Sequence, residues 1–219
     1  MNHLTDFIVS DIKPLQTSQT LEDAQSVFLE FPYSHFPVCD AGVYIGCISK
    51  DTVDVNDENK PIDDLKFNFE RFYVRDTMVW LDVLEEFGKN ECTLLPVLNS
   101  KNDYLGYYEL EDVFQFFQNS IFIKEQGNII VVQKAKADYS FSQISQIVEG
   151  NGGRILGIFV STINEQMVEI TLKVSLYFLN EILQSFRRYD YEIVSKHQED
   201  SYLENLKERS EYLNKYLNI

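Results

Sequence analysis

The sequence is short of the features that mark secreted and membrane proteins. Its 219 residues include three cysteines, and no apolar run approaches the roughly 18 residues needed to cross a bilayer. The stretch from Met1 to Asp11 lacks the basic region and apolar core of a secretory signal. We therefore expect a cytoplasmic protein without a disulfide framework, in which Cys39, Cys47 and Cys92 are reduced core residues.

Basic residues are also scarce. The chain has 19 Lys and Arg against 35 Asp and Glu, a formal net charge of −16. Residues 1–124 carry −13 of this charge and residues 125–219 carry −3. Because an acidic surface repels phosphate backbones and anionic headgroups, the charge argues against nucleic acid and membrane as partners. It leaves open a nucleotide held in a local pocket.

Recognisable catalytic motifs are missing as well. His3, His35 and His197 are far apart and belong to no metal-ligand or nucleophile motif, and the chain has no phosphate-binding Gly-rich loop with a Lys. Neighbouring carboxylates such as Glu85 and Glu86 point about 100° apart on a helix. We therefore expect neither a catalytic residue nor a metal site, and we interpret His35 as a strand residue or the rim of a pocket.

One unit occurs twice in the first half of the chain, and it is the strongest pattern in the sequence. Pro37-Val38 is followed by Gly46, and Pro96-Val97, fifty-nine residues later, is followed by Gly106. An internal repeat is typical of an architecture in which copies of one supersecondary unit bury their apolar faces against each other. The repeat therefore predicts two packed copies of a small fold.

Apolar spacing predicts the same order of elements in each copy: an extended segment, a helix, a two-stranded hairpin and a closing helix. The positions on the two long helices correspond, with Leu21, Ala24 and Phe28 aligned on Trp80, Val83 and Phe87. The predicted hairpin strands are His35 to Cys39 with Val43 to Ile48, and Thr93 to Leu98 with Tyr104 to Tyr108.

This order, with Pro-Val on the first hairpin strand and Gly on the second, resembles the CBS domain, which occurs as tandem pairs. The resemblance places the pair within residues 1–122, with repeat one at about 5–55 and repeat two at about 66–120. Residues 54–64 between the repeats are acidic and interrupted by Pro61, which predicts an exposed connector. Asp54, Asp57 and Glu58 could form a cation site there, but a run of charges is typical of a solvated loop.

The resemblance implies where a ligand would bind. In nucleotide-binding CBS pairs the second hairpin strand ends in Gly-x-x-Ser/Thr-x-x-Asp, whose hydroxyl contacts phosphate and whose Asp holds the ribose. The first copy has Ser49 and Thr52 at those two positions, and the second copy has Glu109 and Asp112. Each copy thus has half of the set. Glu109 would repel a phosphate by on the order of several kcal/mol at an intermediate dielectric constant.

The candidate nucleotide site also includes the apolar wall of the Pro-Val strands. Its residues are Pro37, Val38, Ser49, Thr52, Pro96, Val97, Glu109 and Asp112. The ligand that the resemblance implies is an adenine-type nucleotide or nucleoside. The alternative is that the clefts bind no ligand and are filled by the chain's own side chains.

The second half of the chain changes pattern. Its apolar periods predict strand, helix, strand, strand, helix, strand, with two helices on one face of an antiparallel sheet. The predicted strands are Asn128 to Ala135, Ile155 to Ser161, Met167 to Val174 and Tyr191 to Lys196, and the predicted helices are one through Phe141 to Val148 and one from Ser175 to Tyr189.

Following a CBS pair, residues 127–197 resemble an ACT domain, a regulatory unit that often binds small molecules between paired subunits. Its usual ligand loop is approximately Asp-x-Pro-Gly, and those positions hold Asp138, Tyr139, Ser140 and Phe141 here. Phe141 replaces the Gly that lets a ligand approach the backbone, so we expect its ring to fill that space. The exposed edges of a four-stranded sheet favour pairing with a second copy of the chain.

The tail, residues 198–219, is predicted to form a separate amphipathic helix. Tyr202, Leu206, Leu213 and Tyr216 fall on one apolar stripe of such a helix. The helix either lies on its own domain or crosses to a partner subunit.

The expected fold class is α+β: a tandem CBS pair of two strand-helix-hairpin-helix repeats, a ferredoxin-like βαββαβ ACT-like domain and a terminal helix. This order is similar to that of the acetoin-utilisation AcuB-type bacterial regulatory proteins. The leading hypothesis is a non-catalytic homodimeric regulator that senses an adenine-type ligand or a partner enzyme through the CBS clefts. The alternatives are a ligand-free dimeric interaction scaffold and amino-acid sensing through the ACT-like domain.

Overall fold

The computed structural model describes residues 3–196, and the chain divides into two compact units, Met1–Asn119 and Ser120–Ile219. Each unit combines helices with β-sheet, and the order of elements confirms the predicted α+β class. The predicted tail helix, residues 198–219, lies outside the described residues.

The first unit contains two strand-helix-hairpin-helix copies. The elements of the first copy are β1 (Leu15–Gln16), α1 (Leu21–Glu30), β2 (His35–Asp40), β3 (Val43–Ser49) and α2 (Lys50–Asp54). Those of the second copy are β4 (Val74–Arg75), α3 (Trp80–Lys89), β5 (Leu94–Leu98), β6 (Tyr104–Glu109) and α4 (Leu110–Gln118). In each copy the middle strand pairs in parallel with the first strand and antiparallel with the third. A 3-10 segment precedes each copy, at Leu4–Phe7 and Ile62–Asn68.

The turn of the first hairpin follows from the residues at its tip. Ala41 and Gly42 both take left-handed backbone angles, with φ of 45° and 85°. Two consecutive left-handed residues give the two-residue turn whose twist matches that of the flanking strands, and Gly adopts this conformation at little steric cost. The Asp-Ala-Gly sequence therefore fixes the register of β2 on β3.

The two long helices begin differently although their apolar faces align. The hydroxyl of Thr20 accepts the amide of Asp23, and the Asp23 carboxylate accepts the amide of Thr20 at 3.1 Å, which is a complete capping box. Helix α3 follows Val79, whose side chain makes no capping hydrogen bond. The first turn of α3 thus lacks the cap that α1 possesses.

Each copy contributes residues to the core of the other. Leu94 and Tyr107 of the second copy belong to the core built on α1 and β2, and Cys47 of the first copy belongs to the core built on α3 and β5. Tyr44 and Tyr104, near the start of β3 and β6, stack with ring centroids 6.3 Å apart and planes 11° from parallel. Burial of apolar surface in either copy therefore depends on the presence of the other.

The connector between the copies is less exposed than the sequence predicts. Ile62 has no solvent exposure and belongs to the core of the first copy. The prediction of a wholly exposed connector is wrong at this residue, because the backbone of the connector is bonded to the start of α1. The amides of Leu21 and Glu22 donate to the carbonyls of Lys60 and Glu58, each at 2.9 Å.

The second unit has the predicted βαββαβ order, preceded by one short helix. Its elements are α5 (Ile121–Lys124), β7 (Asn128–Ala135), α6 (Phe141–Gly150), β8 (Ile155–Ile163), β9 (Met167–Val174), α7 (Leu179–Arg188) and β10 (Glu192–Ile193). The strand order is β10-β7-β9-β8, all antiparallel, which is the ferredoxin-like order. Apolar residues of α6 and α7, among them Ile144, Ile147, Ile182 and Phe186, form one core with the strands.

Two predicted elements of this unit are longer than the observed ones. The helix predicted from Ser175 begins at Leu179, because Ser175 is held against Arg154 by two hydrogen bonds, one through its amide and one through its hydroxyl. Phe178 then takes a left-handed φ of 65°, and Leu176 is 51% exposed instead of lying on the apolar helix face. The last strand is Glu192–Ile193 and not residues 191–196, since only two residues pair with β7.

Candidate functional site

The four apolar residues of the candidate nucleotide site are buried in the middle strands. Pro37 and Val38 lie on β2, Pro96 and Val97 lie on β5, and both valines have 0% exposure. Val38 is part of the core of the first copy and Val97 of the core of the second. They stabilise the fold whether or not a ligand is present.

Gly46 and Gly106 each lie against a neighbouring backbone segment that a Cβ atom would approach too closely. Their φ angles are 154° at Gly46 and 144° at Gly106. A Cβ atom at Gly106 would lie 2.2 Å from the carbonyl oxygen of Val9, and one at Gly46 would lie 3.1 Å from the carbonyl oxygen of Glu70. In each copy the residue after the glycine makes two backbone hydrogen bonds to Val9 or Glu70. The glycines therefore seat the segment that precedes each copy on the last strand of the other copy.

Glu109 of the second copy already has a hydrogen-bond partner. The hydroxyl of Tyr33 donates to Glu109 Oε1 at 2.5 Å, and the hydroxyl of Tyr107 donates to Asp11 Oδ1 at 2.7 Å. The two tyrosine rings meet edge to face with centroids 5.9 Å apart. We call Tyr33, Tyr107, Asp11 and Glu109 the tyrosine–acid cluster. Glu109 of this cluster stands where the resemblance implies a hydroxyl that contacts phosphate.

The raised pKa values of Tyr33 and Tyr107 keep both hydroxyls protonated, so that each acts as a hydrogen-bond donor. Burial, followed by the bond to Glu109, raises the pKa of Tyr33 to about 12. Burial and the bond to Asp11 also raise the pKa of Tyr107. Because both phenols stay protonated at neutral pH, each acid accepts a charge-assisted hydrogen bond. A phosphate placed here would meet two carboxylates, with a repulsion on the order of several kcal/mol.

Asp112 lies outside the tyrosine–acid cluster. It is partly exposed in the first turn of α4 and accepts a hydrogen bond from Gln115 Nε2 at 3.2 Å. Glu109 and Asp112 therefore have different partners, although they are three residues apart in the sequence.

Ser49 and Thr52 of the first copy are brought together by the start of α2. Ser49 is the N-cap of this five-residue helix, and its hydroxyl accepts the amide of Thr52 at 3.3 Å. The two hydroxyl oxygens are 2.8 Å apart and both residues are partly buried. The hydroxyl pair is thus satisfied by a local cap.

His35 is buried at the start of β2, as the interpretation of a strand residue requires. Its Nδ1 lies 2.9 Å from Ser34 Oγ and its Nε2 lies 3.2 Å from Glu70 Oε1, while its ring meets that of Phe72. Sequence reasoning missed the partner of Nε2, because Glu70 lies 35 residues away and precedes the other copy.

The three cysteines are free and buried, which confirms their prediction as core residues. Burial raises the pKa of Cys39 to about 11 and that of Cys92 to about 12, and it also raises the pKa of Cys47. Thiols with raised pKa are protonated at neutral pH and are weak nucleophiles and metal ligands.

The candidate ACT ligand loop forms the entry to α6. Ser140 caps this helix by accepting the amide of Gln143, and Asp138 is exposed in the preceding turn. Phe141 is 42% exposed and packs edge to face on Tyr139 with centroids 6.1 Å apart. Phe141 is the first residue of α6, and the filling of a ligand space by its ring stays a prediction.

Three cavities of the first unit lie away from the candidate nucleotide residues. Their volumes are about 760, 490 and 440 Å³, and none of the eight candidate residues lines them. The 760 Å³ cavity opens beside the start of α3, with walls that include Leu4, Phe7, Asp76, Met78, Trp80 and Phe116. Among residues 3–196 no three acidic, histidine or cysteine side chains are grouped so that they could hold a metal ion. In the same part of the chain no helix has the length and apolarity to cross a membrane.

Several solved structures are similar to part of this chain at low sequence identity. A CBS domain pair/ACT domain protein from Thermotoga maritima has 17% identity and a TM-score of 0.48, over 53% of this chain and 96% of that chain. The CBS domains of a transcriptional regulator from Streptococcus pneumoniae have 18% identity and a TM-score of 0.47, over 52% and 98%. CBSX2 in complex with AMP has 17% identity and a TM-score of 0.43, over 52% and 95%. No family model and no curated protein matches the chain.

The topology of this chain itself defines its class. Two copies of a strand-helix-hairpin-helix unit interlock through their third strands, and a ferredoxin-like sheet follows. This is the arrangement that the resemblance to a CBS pair followed by an ACT-like domain implies.

Proposed function

We propose that this chain is a non-catalytic regulatory protein that acts through contacts with other polypeptides. The observation that supports this function is the tyrosine–acid cluster, in which Tyr33 and Tyr107 satisfy Glu109 and Asp11. A nucleotide could enter only by displacing two charge-assisted hydrogen bonds and placing its phosphates beside two acids. The closed cleft favours the scaffold alternative over nucleotide sensing in the second copy.

Titration calorimetry with adenosine, AMP and ATP tests the proposal. The wild-type chain is expected to give no saturable heat with any of the three compounds and no shift in melting temperature. Tyr33→Ala opens the cluster and serves as a positive control for a nucleoside-sized space. Saturable binding of AMP or ATP that persists in Ser49→Ala with Thr52→Val would overturn the proposal that the tyrosine–acid cluster closes the second copy to nucleotides.

A second candidate function is an adenine-type nucleotide or nucleoside sensor in the first copy. It is favoured by the Ser49 and Thr52 hydroxyls, which lie 2.8 Å apart at a helix start where the resemblance implies a phosphate contact. This candidate predicts binding that is lost in Ser49→Ala with Thr52→Val and retained in Asp112→Asn. Equal affinity in both variants would exclude the first copy as the site.

We further propose that the chain forms a homodimer through its second unit. Strand β8 is an edge strand of nine residues, and Phe159 and Ile163 on it are 47% and 53% exposed. A long apolar edge strand is a template for pairing with a second copy. Light scattering should give twice the chain mass for the wild type and a monomer for Phe159→Lys with Ile163→Lys. The control is Tyr177→Lys, at a site that is 74% exposed outside the sheet.

The class of the regulated partner is a proposal as well. An AcuB-type role would make the partner an enzyme, and amino-acid sensing would place the signal in the ACT-like loop at Asp138, Ser140 and Phe141. Calorimetry with the twenty amino acids separates the two, since only the second role gives heat without a protein partner.

A further inference from the structure

A pocket of about 440 Å³ lies between the tips of the two hairpins of the first unit. We call it the hairpin-tip pocket, and its walls include Val43, Ile45, Arg71, Tyr73, Leu98 and Asn102. The first two of these residues are at the start of β3 in the first copy. The others belong to the segment before β4, to the end of β5 and to the turn after β5. A molecule in this pocket would therefore contact both copies.

The segment before β4 alternates between buried and exposed side chains, as an extended chain does. Phe72 and Val74 are 6% and 0% exposed, whereas Arg71 and Tyr73 are exposed and line the pocket. The hydroxyl of Tyr44 donates to the carbonyl oxygen of Phe72 at 2.6 Å, which ties this segment to β3. Burial of Phe72 and Val74 therefore holds the two exposed side chains at the pocket.

Arg75 fixes the aromatic wall of the pocket. Its guanidinium lies over the Tyr73 ring, 4.9 Å from the centroid, and its Nη2 donates to Asn102 Oδ1 at 2.6 Å. Its Nη1 donates to the carbonyl oxygen of Asn99. Because a guanidinium can only donate, the atom of Asn102 that it meets is the amide oxygen. The NH₂ group of Asn102 therefore keeps its hydrogens for another acceptor.

Arg71 is a charged group of the pocket that has no partner. Within the described part of the chain its guanidinium makes no hydrogen bond and no ion pair, and no acid lines the pocket. The acids beside the pocket in the sequence have other partners. Glu70 Oε1 lies 3.2 Å from His35 Nε2, and Asp103 Oδ2 accepts a hydrogen bond from Asn99 Nδ2 at 2.8 Å. The pocket is thus positively charged, although it lies in the acidic half of the chain.

The arginine and the tyrosine occur in one copy only. Ile12 and Pro14 stand fifty-nine residues before Arg71 and Tyr73, at the equivalent positions of the first copy. Neither of the two first-copy residues can pair with an anion or offer an aromatic face. Arg71 and Tyr73 belong to neither core of the first unit, so core packing does not account for these residue types.

The chemistry of the walls selects the kind of ligand. The guanidinium of Arg71 and the NH₂ group of Asn102 both donate hydrogen bonds, and a carboxylate has two oxygens that accept them. The ring of Tyr73 and the side chains of Val43 and Ile45 suit the faces of a flat apolar ring. A volume of about 440 Å³ is in the lower part of the range for ligand pockets, which suits a compound with one ring.

We propose that the hairpin-tip pocket binds a small aromatic carboxylate. The carboxylate pairs with the guanidinium of Arg71 and accepts a hydrogen bond from the Asn102 amide. The ring lies between Tyr73 and the aliphatic side chains at the start of β3. Because the walls come from both copies, the bound molecule holds the two hairpins together. The pocket shares no residue with the tyrosine–acid cluster, so the two proposals stand or fall separately.

Titration of the full chain with benzoate tests the proposal. The response is followed by the melting temperature, which a ligand of the folded state raises, and by NMR of the arginine and asparagine side-chain N–H groups. Benzamide has the same ring without the charge, and we expect it to bind at least about tenfold more weakly than benzoate. Acetate has the charge without the ring, and inorganic phosphate is a different anion. Both are expected to bind at least about tenfold more weakly than benzoate as well.

Arg71→Gln is the diagnostic variant, because it removes the charge at an exposed position. The affinity for benzoate is expected to fall at least about tenfold, while the melting temperature without ligand stays unchanged. Arg71→Lys keeps the charge without the planar fork and should have an intermediate affinity. Lys66→Gln makes the same change of charge outside the pocket and is the matched control, with the affinity of the wild type.

Three outcomes would overturn the inference. The first is the lack of a saturable response to benzoate in the wild-type chain. The second is binding of benzamide, acetate or phosphate as tightly as benzoate, which would remove either the charge or the ring from the recognition. The third is an unchanged affinity for benzoate in Arg71→Gln. None of these results bears on the tyrosine–acid cluster, which is tested with adenosine, AMP and ATP.

Discussion

Ser34 and Thr93 form a reciprocal pair: the amide of Ser34 donates to Thr93 Oγ1 at 3.0 Å and the amide of Thr93 donates to Ser34 Oγ at 3.0 Å. The two residues are fifty-nine positions apart, which is the spacing of the repeated Pro-Val motif. Equivalent residues that bond to each other lie on an axis of local two-fold symmetry. The pair therefore marks the axis that relates the two copies.

A double-mutant cycle at this pair should show strong coupling. Ser34→Ala and Thr93→Val each remove the acceptor of one amide, and Ser34→Ala also removes the contact of Ser34 Oγ with His35 Nδ1. We expect each single variant to lose about 1 kcal/mol of unfolding free energy and the pair to be coupled by at least about 0.5 kcal/mol. Urea denaturation of the four proteins measures the coupling. Additive losses would mean that the two bonds form independently of each other.

Gly106→Ala should be among the most destabilising single changes in the first unit. The new Cβ atom would lie 2.2 Å from the carbonyl oxygen of Val9, and the backbone has a φ of 144°. We expect a loss of about 2–4 kcal/mol of unfolding free energy. Gly88→Ala is the matched control, because it lies in helix α3 with no atom within 4 Å of the added Cβ. The control should gain up to about 1 kcal/mol.

The missing cap of α3 can be supplied by one substitution. Asp82 occupies the position in α3 that Asp23 occupies in the capping box of α1. Val79→Thr completes the same box and should stabilise the chain by about 1 kcal/mol, whereas Thr20→Val should destabilise it by a similar amount. Thermal unfolding should show a higher melting temperature for Val79→Thr and a lower one for Thr20→Val. A shift in the same direction for both variants would show that the two helix starts are not equivalent.

Alkaline pH should weaken the fold through the tyrosine–acid cluster. The folded protein holds the Tyr33 proton more tightly than the unfolded chain, since burial and Glu109 raise the pKa from 10.0 to about 12. The resulting stabilisation is complete below pH 10 and is lost as the pH rises towards 12. Tyr33→Phe should reduce the loss of stability over this interval, measured by urea denaturation at several pH values. Tyr177→Phe, at an exposed position, should leave the loss unchanged.

The arrangement of strands and long helices could be predicted because local and long-range signals agree. Leu21, Ala24 and Phe28 repeat at helical spacing, and all three are buried in the core of the first copy. The turn at Ala41 and Gly42 has a residue that adopts left-handed angles readily. In these elements the apolar spacing that favours the helix or strand also places the same residues in the core.

The candidate site could not be predicted to the same depth. The partner of Glu109 is Tyr33, 76 residues away, and no local pattern relates a phenol on a loop to an acid at the end of a strand. The different ends of α2 and α4 escaped prediction as well, because neither helix has a Gly at its end to mark it. Ser175 to Phe178 continue an apolar helical period, yet Ser175 is bonded to Arg154.

Helix α4 is longer than α2 by about one turn, close to 6 Å of helix. This single difference in length makes the two ends of a duplicated fold chemically distinct, although most of their core positions correspond. Two helices at positions related by the local two-fold axis therefore end at different points, and the duplicated fold is symmetric in its core but not at its ends.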